Sequence, residues 1–121
     1  MKQNKTKENA LTHDRLSSLL EYNAESGAFR WLKKPHKRNH NIVGDIAGYN
    51  QKGGYIIIQI DKQRYFAHRV AWFYVYGVWP TDEIDHINGD KLNNSIENLR
   101  EATASENKRW ADDLRKTNTK G

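Results

Sequence analysis

A carboxylate and an imidazole are neighbours in the chain at Asp85 and His86. A neutral imidazole can take up a proton near neutral pH, and a carboxylate can bind a cation, so the pair is suited to acid–base or metal chemistry. The turn Asn88-Gly89-Asp90 follows, and Gly89 can adopt a positive φ at no steric cost. The pair therefore stands where a strand is expected to end.

A helix is predicted downstream, over residues 103–110. Thr103 is a good N-cap, and Glu106 follows three residues later, which is the spacing of a capping box. Asn107 would then lie in the first turns of the helix, where intrinsic propensity disfavours asparagine. A residue that breaks a local rule inside an otherwise consistent motif is a candidate for function.

The segment DHINGDKLNNSIENLR and the helix after it resemble the metal-binding hairpin and helix of HNH endonucleases of the small nicking or homing type, found in phages and mobile introns. The resemblance implies that His86 is the general base and that Asn98 holds the intervening loop together. It also implies that Asp85 and Asn107 are the metal ligands. With Asn107 in the third signature position, the chain reads H-N-N rather than H-N-H.

The resemblance further implies a metal-dependent DNA endonuclease that nicks or cuts double-stranded DNA. Oxygen ligands from Asp85 and Asn107 suit one Mg²⁺ or Mn²⁺, which binds the scissile phosphate and the leaving 3′-oxygen. His86 would take a proton from the attacking water. The alternative is a catalytically inactive DNA-binding module with the same fold, although such a module has no chemical reason to keep the base.

A geometric condition applies to the Asp85–His86 pair. Neighbours in a regular strand point to opposite faces, so the strand must end or bend there if both are to serve one site. Asn93 and Asn94 are interpreted as turn formers. Asp90 is interpreted as a turn residue, with a third acidic ligand as the alternative.

Composition limits the classes of protein to be considered. The chain has 121 residues, 36% of them hydrophobic, and no cysteine, so we expect one modest domain without disulfides or thiolate zinc sites. The formal charge of +5 favours a polyanionic partner, with DNA first. No apolar run suits a membrane span or a signal peptide, and we expect a cytoplasmic monomer or homodimer, in a bacterial host if phage-encoded.

The predicted fold class is α+β, with a small antiparallel sheet and helices before a C-terminal ββα-metal hairpin and helix. We expect a flexible tail over residues 1–13, a single domain over 14–116 with its catalytic motif at 83–110, and a second tail at 117–121. The predicted elements are a helix from Asp14 capped by Thr12 or Asp14, strands at 28–32, 55–60 and 64–68, and a helix over 68–76 ended by Gly77. The segment 92–99 is expected to be loop or short helix.

Two groups of cations are candidate DNA contacts. Within the run 33–40, which has four cations, no acid and Pro35, the candidates form a basic arm: Lys33, Lys34, Lys37 and Arg38. A solvated loop is the alternative interpretation of this run. The second group lies in or before the catalytic motif: Arg69, Lys91 and Arg100. His68-Arg69 resembles a recurrent pair of this family. The favoured interpretation is that His68 has a structural role, and the second is that Arg69 contacts a phosphate.

Overall fold

The computed structural model describes residues 5–33, 43–50 and 52–102. These ranges form an α+β fold, as the sequence predicted, and their strands form three short antiparallel sheets rather than one. The helices are α1 (Lys5–Ala10), α2 (His13–Leu19) and α3 (Ala67–Tyr76), with a 3₁₀ turn at Ile96–Asn98. The strands are β1 (Leu20–Tyr22), β2 (Phe29–Trp31), β3 (Tyr49–Asn50), β4 (Ile56–Ile60), β5 (Gln63–Phe66), β6 (Glu83–His86) and β7 (Leu99–Ala102). None of the helices in this described part has the length and apolar character needed to cross a bilayer.

The N-terminal segment differs from the flexible tail predicted for residues 1–13. Residues 5–10 form α1, and Leu11 lies in the core with only 3% of its surface exposed. Thr12 then caps α2, and its side chain accepts a hydrogen bond from the Arg15 backbone N–H at 3.1 Å. The domain therefore begins before Asp14.

Strands β3, β4 and β5 form the central sheet, with β4 in the middle. Asp61 and Lys62 connect β4 to β5 with φ values of 51° and 68°, as a two-residue hairpin turn of primed type requires. The chain passes directly from β5 into α3, which ends at Gly77 in the left-handed conformation. The prediction of Gly77 as the helix end is confirmed, and α3 begins one residue earlier than expected.

The core lies between α2, the strands and the inner face of α3. Leu16 and Leu19 of α2, Ile58 of β4 and Val70 of α3 are fully buried. Aromatic side chains also pack in the core: Phe73 stacks on Trp79 with ring centroids 4.2 Å apart. Ile84 and Leu99 belong to the same core, so the hairpin that carries Asp85 and His86 is anchored on the rest of the domain.

Strands β6 and β7 pair antiparallel and carry the motif singled out in the sequence. Asp85 lies opposite Arg100, and His86 lies opposite Leu99. The two strands are joined by residues 87–98, which are loop except for the 3₁₀ turn, as expected. The predicted helix that would complete a ββα unit, over 103–110, lies outside the described residues, as does the C-terminal tail at 117–121.

Candidate active site

Asp85 and His86 are the last two residues of β6. The strand stays regular to its end, because Ile84 and His86 are buried while Glu83 is exposed and Asp85 is partly exposed. The two side chains therefore point to opposite faces of the hairpin. Arg100 lies across from Asp85, with its Nε 3.4 Å from the carboxylate Oδ2. The Asp85 side chain keeps 21% of its surface exposed, so it is partly accessible to solvent.

Asn98 ties the two ends of the loop together. Its side-chain Oδ1 accepts a hydrogen bond from the Asn88 N–H at 3.0 Å, and its Nδ2 donates to the Asn93 carbonyl at 2.8 Å. Its backbone carbonyl also accepts from the Ile87 N–H at 2.8 Å. This bridge needs a side chain with both a donor and an acceptor, which an amide provides. The hydrogen bonds of Asn98 are those expected for a residue that holds the loop together.

The turn after β6 uses the residues singled out in the sequence. Gly89 adopts a φ of 79°, and its N–H donates to the His86 carbonyl at 2.8 Å. The Asp90 carboxylate accepts from the Leu92 N–H at 3.0 Å, so this side chain closes a local turn. These contacts favour the turn interpretation of Asp90 over the third-ligand alternative.

The His86 ring lies inside the hairpin against Asn94. The His86 Nε2 is 2.7 Å from the Asn94 Oδ1, and only 1% of the Asn94 surface is exposed. The interpretation of Asn94 as a turn former does not account for this contact. No feature of the sequence separates Asn94 from the equally turn-prone Asn93, because the difference is which of the two faces inward.

Two more rings surround His86. The His68 ring meets it edge to face at 5.0 Å between centroids, and the Tyr55 ring lies 6.1 Å away. Burial of the His68 imidazole, followed in size by the electrostatic effects of the neighbouring His86 and Arg69, lowers the pKa of His68 from its ordinary value to about 3. His68 is therefore a neutral structural residue at physiological pH, as favoured from the sequence.

Lys91 is held beside this group of rings. Its Nζ lies 4.9 Å from the centre of the Tyr55 ring and donates to the Gly53 carbonyl at 3.2 Å. The geometry thus fixes a cation next to the ring that lies beside His86. A lysine in this position can contact a phosphate near His86.

Arg69 is buried, whereas a side chain that contacts a DNA phosphate must be exposed. Its guanidinium is 2% exposed, forms an ion pair with Glu8 at 2.7 Å, and donates to the carbonyls of Pro80 and Asp82 at 3.0 and 2.9 Å. The structure therefore corrects this prediction, because all of these donors are directed into the protein. Arg69 joins α1 to the segment that leads into β6.

Glu101 braces the same segment from β7. Its carboxylate accepts hydrogen bonds from the backbone N–H groups of Thr81 and Asp82 and from the Thr81 hydroxyl. The hydrogen bond from Asp82 is the largest cause that lowers the pKa of Glu101 below its ordinary value. The entry to β6 is thus fixed by Arg69 on one side and by Glu101 on the other.

Several predicted site residues cannot be placed. The proposed ligand Asn107 and three cations of the basic arm, Lys34, Lys37 and Arg38, lie outside the described residues. Lys33 is described and exposed. Within 5–33, 43–50 and 52–102, no group of three or more His, Cys, Asp or Glu residues could hold a metal ion.

Comparison with known proteins finds similarity over the segment that contains Asp85 and His86. Residues 65–109 match the family model described as HNH endonuclease. Among the described elements, this stretch contains the end of β5, all of α3 and the β6–β7 hairpin. Over this segment the chain is similar to the HNH endonuclease family, which confirms the resemblance noted in the sequence.

Two curated relatives carry the same family name. An uncharacterized HNH endonuclease of Acanthamoeba polyphaga mimivirus is 42% identical over 82 residues, which cover 60% of this chain and 21% of that protein. YosQ, derived from the SPbeta prophage of Bacillus subtilis (strain 168) and named for an HNH homing endonuclease, is 38% identical over 80 residues, or 63% of this chain and 42% of that protein. The chain thus aligns with less than half the length of either relative. No solved structure matches it significantly.

Proposed function

We propose that this protein is a metal-dependent endonuclease that hydrolyses phosphodiester bonds in double-stranded DNA. The observation that carries the proposal is the end of β6, where a partly exposed carboxylate, Asp85, adjoins an imidazole, His86, that is hydrogen-bonded inside the hairpin. The family match over 65–109 and the net charge of +5 support a nucleic-acid substrate.

Asp85 and His86 point to opposite faces, but β6 ends at His86, so both can reach a phosphate bound past the strand end during hydrolysis by in-line displacement. In such a reaction, water reaches the phosphorus from the side opposite the leaving oxygen. Two groups on opposite faces at a strand end can act on these two sides. His86 takes the proton of the attacking water as the new bond to phosphorus forms and the P–O3′ bond breaks. On the opposite side, a cation held by Asp85 would stabilise the negative charge of the leaving 3′-oxygen until water protonates it.

Asp85 and Asn107 would hold the divalent cation, with Mg²⁺ or Mn²⁺ favoured by an oxygen ligand set. The bound cation supplies Lewis-acid neutralisation of the scissile phosphate and of the leaving oxygen. Arg100 lies within 3.4 Å of Asp85 and balances the carboxylate charge. Lys91, held over Tyr55, adds positive charge on the side of the base.

Cleavage of a supercoiled circular duplex tests this proposal. With Mg²⁺ or Mn²⁺ we expect nicked or linear product, and the ratio of the two shows whether one strand or both are cut. EDTA and the variant Asp85→Ala should each abolish cleavage. Full activity in EDTA would refute the metal requirement. DNA binding without cleavage under either metal would support the alternative, an inactive DNA-binding module.

A further inference from the structure

The buried side-chain amide of Asn94 lies against the nitrogen of His86 that faces the loop. The Asn94 Oδ1 is 2.7 Å from the His86 Nε2, and both residues are buried. We propose that Asn94 is a positioning residue that fixes His86 as the tautomer with its proton on Nε2, so that the lone pair of Nδ1 is the one that accepts the proton of water. The role in catalysis rests on the proposed function, whereas the tautomer itself does not.

The chemistry of the two groups sets the direction of this hydrogen bond. An amide oxygen can only accept, so the His86 Nε2 must donate. A neutral imidazole carries one proton, and Nδ1 is then left as the unprotonated, basic nitrogen. In water the two tautomers interconvert freely, and a base that needs one of them is faster when the other is excluded.

Asn94 is itself held from a distant part of the sequence. The Tyr22 hydroxyl donates to the Asn94 backbone carbonyl at 2.5 Å, across 72 positions in the chain. Gly27, in the turn between β1 and β2, approaches so closely that a Cβ built there would lie 2.2 Å from the Asn94 carbonyl carbon. The N-terminal hairpin therefore presses on the loop at the residue that holds the base.

The surrounding rings limit the other orientation of His86. His68 meets the ring edge to face at 5.0 Å, and Tyr55 lies 6.1 Å away. A rotation that carries Nδ1 to Asn94 would have to repack both neighbours. The orientation of the ring and the direction of its hydrogen bond thus support the same tautomer.

The tautomer can be measured in the full chain without metal or DNA. Long-range proton–nitrogen correlation spectra, at a pH where imidazoles are neutral, distinguish a protonated ring nitrogen from an unprotonated one. We expect the His86 Nε2 to be protonated and Nδ1 unprotonated in the wild type. A wild-type spectrum with the proton on Nδ1, or with both tautomers populated, would overturn the proposal whatever the activity.

Two substitutions separate positioning from simple packing. Asn94→Leu keeps the approximate shape and removes the acceptor, whereas Asn94→Asp keeps an acceptor oxygen. We expect Asn94→Leu to populate both tautomers and to lose most of kcat, toward the level of a His86→Ala variant, with KM for DNA unchanged. Asn94→Asp should keep the Nε2 proton and retain kcat within about tenfold, a small part of the roughly 10²–10⁴-fold range of base catalysis.

Asn93 provides the matched controls. It lies one residue earlier, and its Oδ1 accepts from the Ser95 N–H at 3.2 Å rather than from His86. Asn93→Asp therefore makes the same chemical change as Asn94→Asp at a side chain that does not contact the His86 ring. Asn93→Asp should leave the tautomer as in the wild type. A wild-type tautomer in folded Asn94→Leu would refute positioning, and if that variant does not fold, loss of the Nε2 proton in Asn94→Asp would refute it. Cleavage by His86→Ala at the wild-type rate would instead refute the proposed base and leave the tautomer result standing.

Discussion

Arg69 of α3 and Glu8 of α1 form a buried ion pair between residues 61 positions apart, with the Arg69 Nε 2.7 Å from the Glu8 Oε2. Arg69 also donates to the carbonyls of Pro80 and Asp82, just before β6. The charged pair therefore connects the first helix to the strand that ends in Asp85 and His86. A residue near the start of the chain takes part in fixing the entrance to the site.

Removal of one partner of this pair should be costly. Glu8→Ala leaves the guanidinium buried without its counter-charge, and such changes cost about 3–5 kcal/mol of the free energy of unfolding. Urea unfolding would measure the loss. The exposed pair Arg15–Asp61 is the control, and Arg15→Ala should cost at most about 1 kcal/mol. Equal losses in the two variants would contradict the structural role of Glu8.

Gly27 and Gly77 allow a matched test of the contact between the N-terminal hairpin and Asn94. Both have a φ of 77°, but only at Gly27 would a Cβ meet backbone, at 2.2 Å from Asn94, while nothing lies within 4 Å at Gly77. Gly77→Ala should cost about 1–2 kcal/mol for its left-handed conformation alone. Gly27→Ala should cost clearly more in the same urea experiment. A smaller loss for Gly27→Ala would contradict the close approach.

The buried His68 is expected to make the free energy of unfolding decrease as the pH falls. Burial is the main cause that lowers its pKa to about 3, so between the ordinary histidine pKa and this value the unfolded chain binds a proton that the folded protein does not. Stability attributable to His68 is therefore complete above the unfolded pKa and is lost as the pH falls below it. The slope is about 1.4 kcal/mol per pH unit, or about 2 kcal/mol from neutrality to pH 5.

Urea unfolding over a pH series would check this slope. His68→Phe keeps a ring in the same position and removes the titrating group, so its stability should fall less between neutral pH and about pH 5. A wild type and a His68→Phe variant with the same pH dependence would contradict the buried, neutral histidine.

The basic arm is expected to act through phosphate charge. Lys33, Lys34, Lys37 and Arg38 changed together to Gln should flatten the plot of log K against log salt by about 0.9 for each phosphate that is no longer neutralised, on all DNA sequences alike. Sequence preference should survive, because phosphate contacts position a protein and base contacts specify its site. Binding over a salt series in a His86→Ala background measures this. An unaltered slope would identify the arm as a solvated loop.

The elements that could be predicted from the sequence are those with strong local signals. Thr12 at the start of α2 and Gly77 at the end of α3 are residues whose chemistry marks helix ends. The bridge made by Asn98 came from the resemblance and is reproduced by the hydrogen bonds of its amide. Each of these depends on contacts within a few residues or within one motif.

The parts that sequence reasoning missed depend on distant contacts. Glu8 is an acid in a polar stretch, and its burial follows only from the position of Arg69. Arg69, in turn, was a candidate phosphate contact because the sequence does not show that Glu8 neutralises it. Asn94 contacts Tyr22 and His86 from a run of turn-forming residues, so local propensity could not separate it from Asn93.

Cleavage of a supercoiled circular duplex with Mg²⁺ by the wild type and by His86→Ala tests the assignment of the base. We expect the variant to bind DNA with unchanged affinity and to cleave about 10²–10⁴-fold more slowly, because the imidazole acts in the transition state rather than in binding. His13→Ala is the control, since this histidine lies in α2, contacts the Tyr74 carbonyl of α3 and should leave cleavage unchanged. Cleavage by His86→Ala at the wild-type rate would contradict the assignment of His86 as the base.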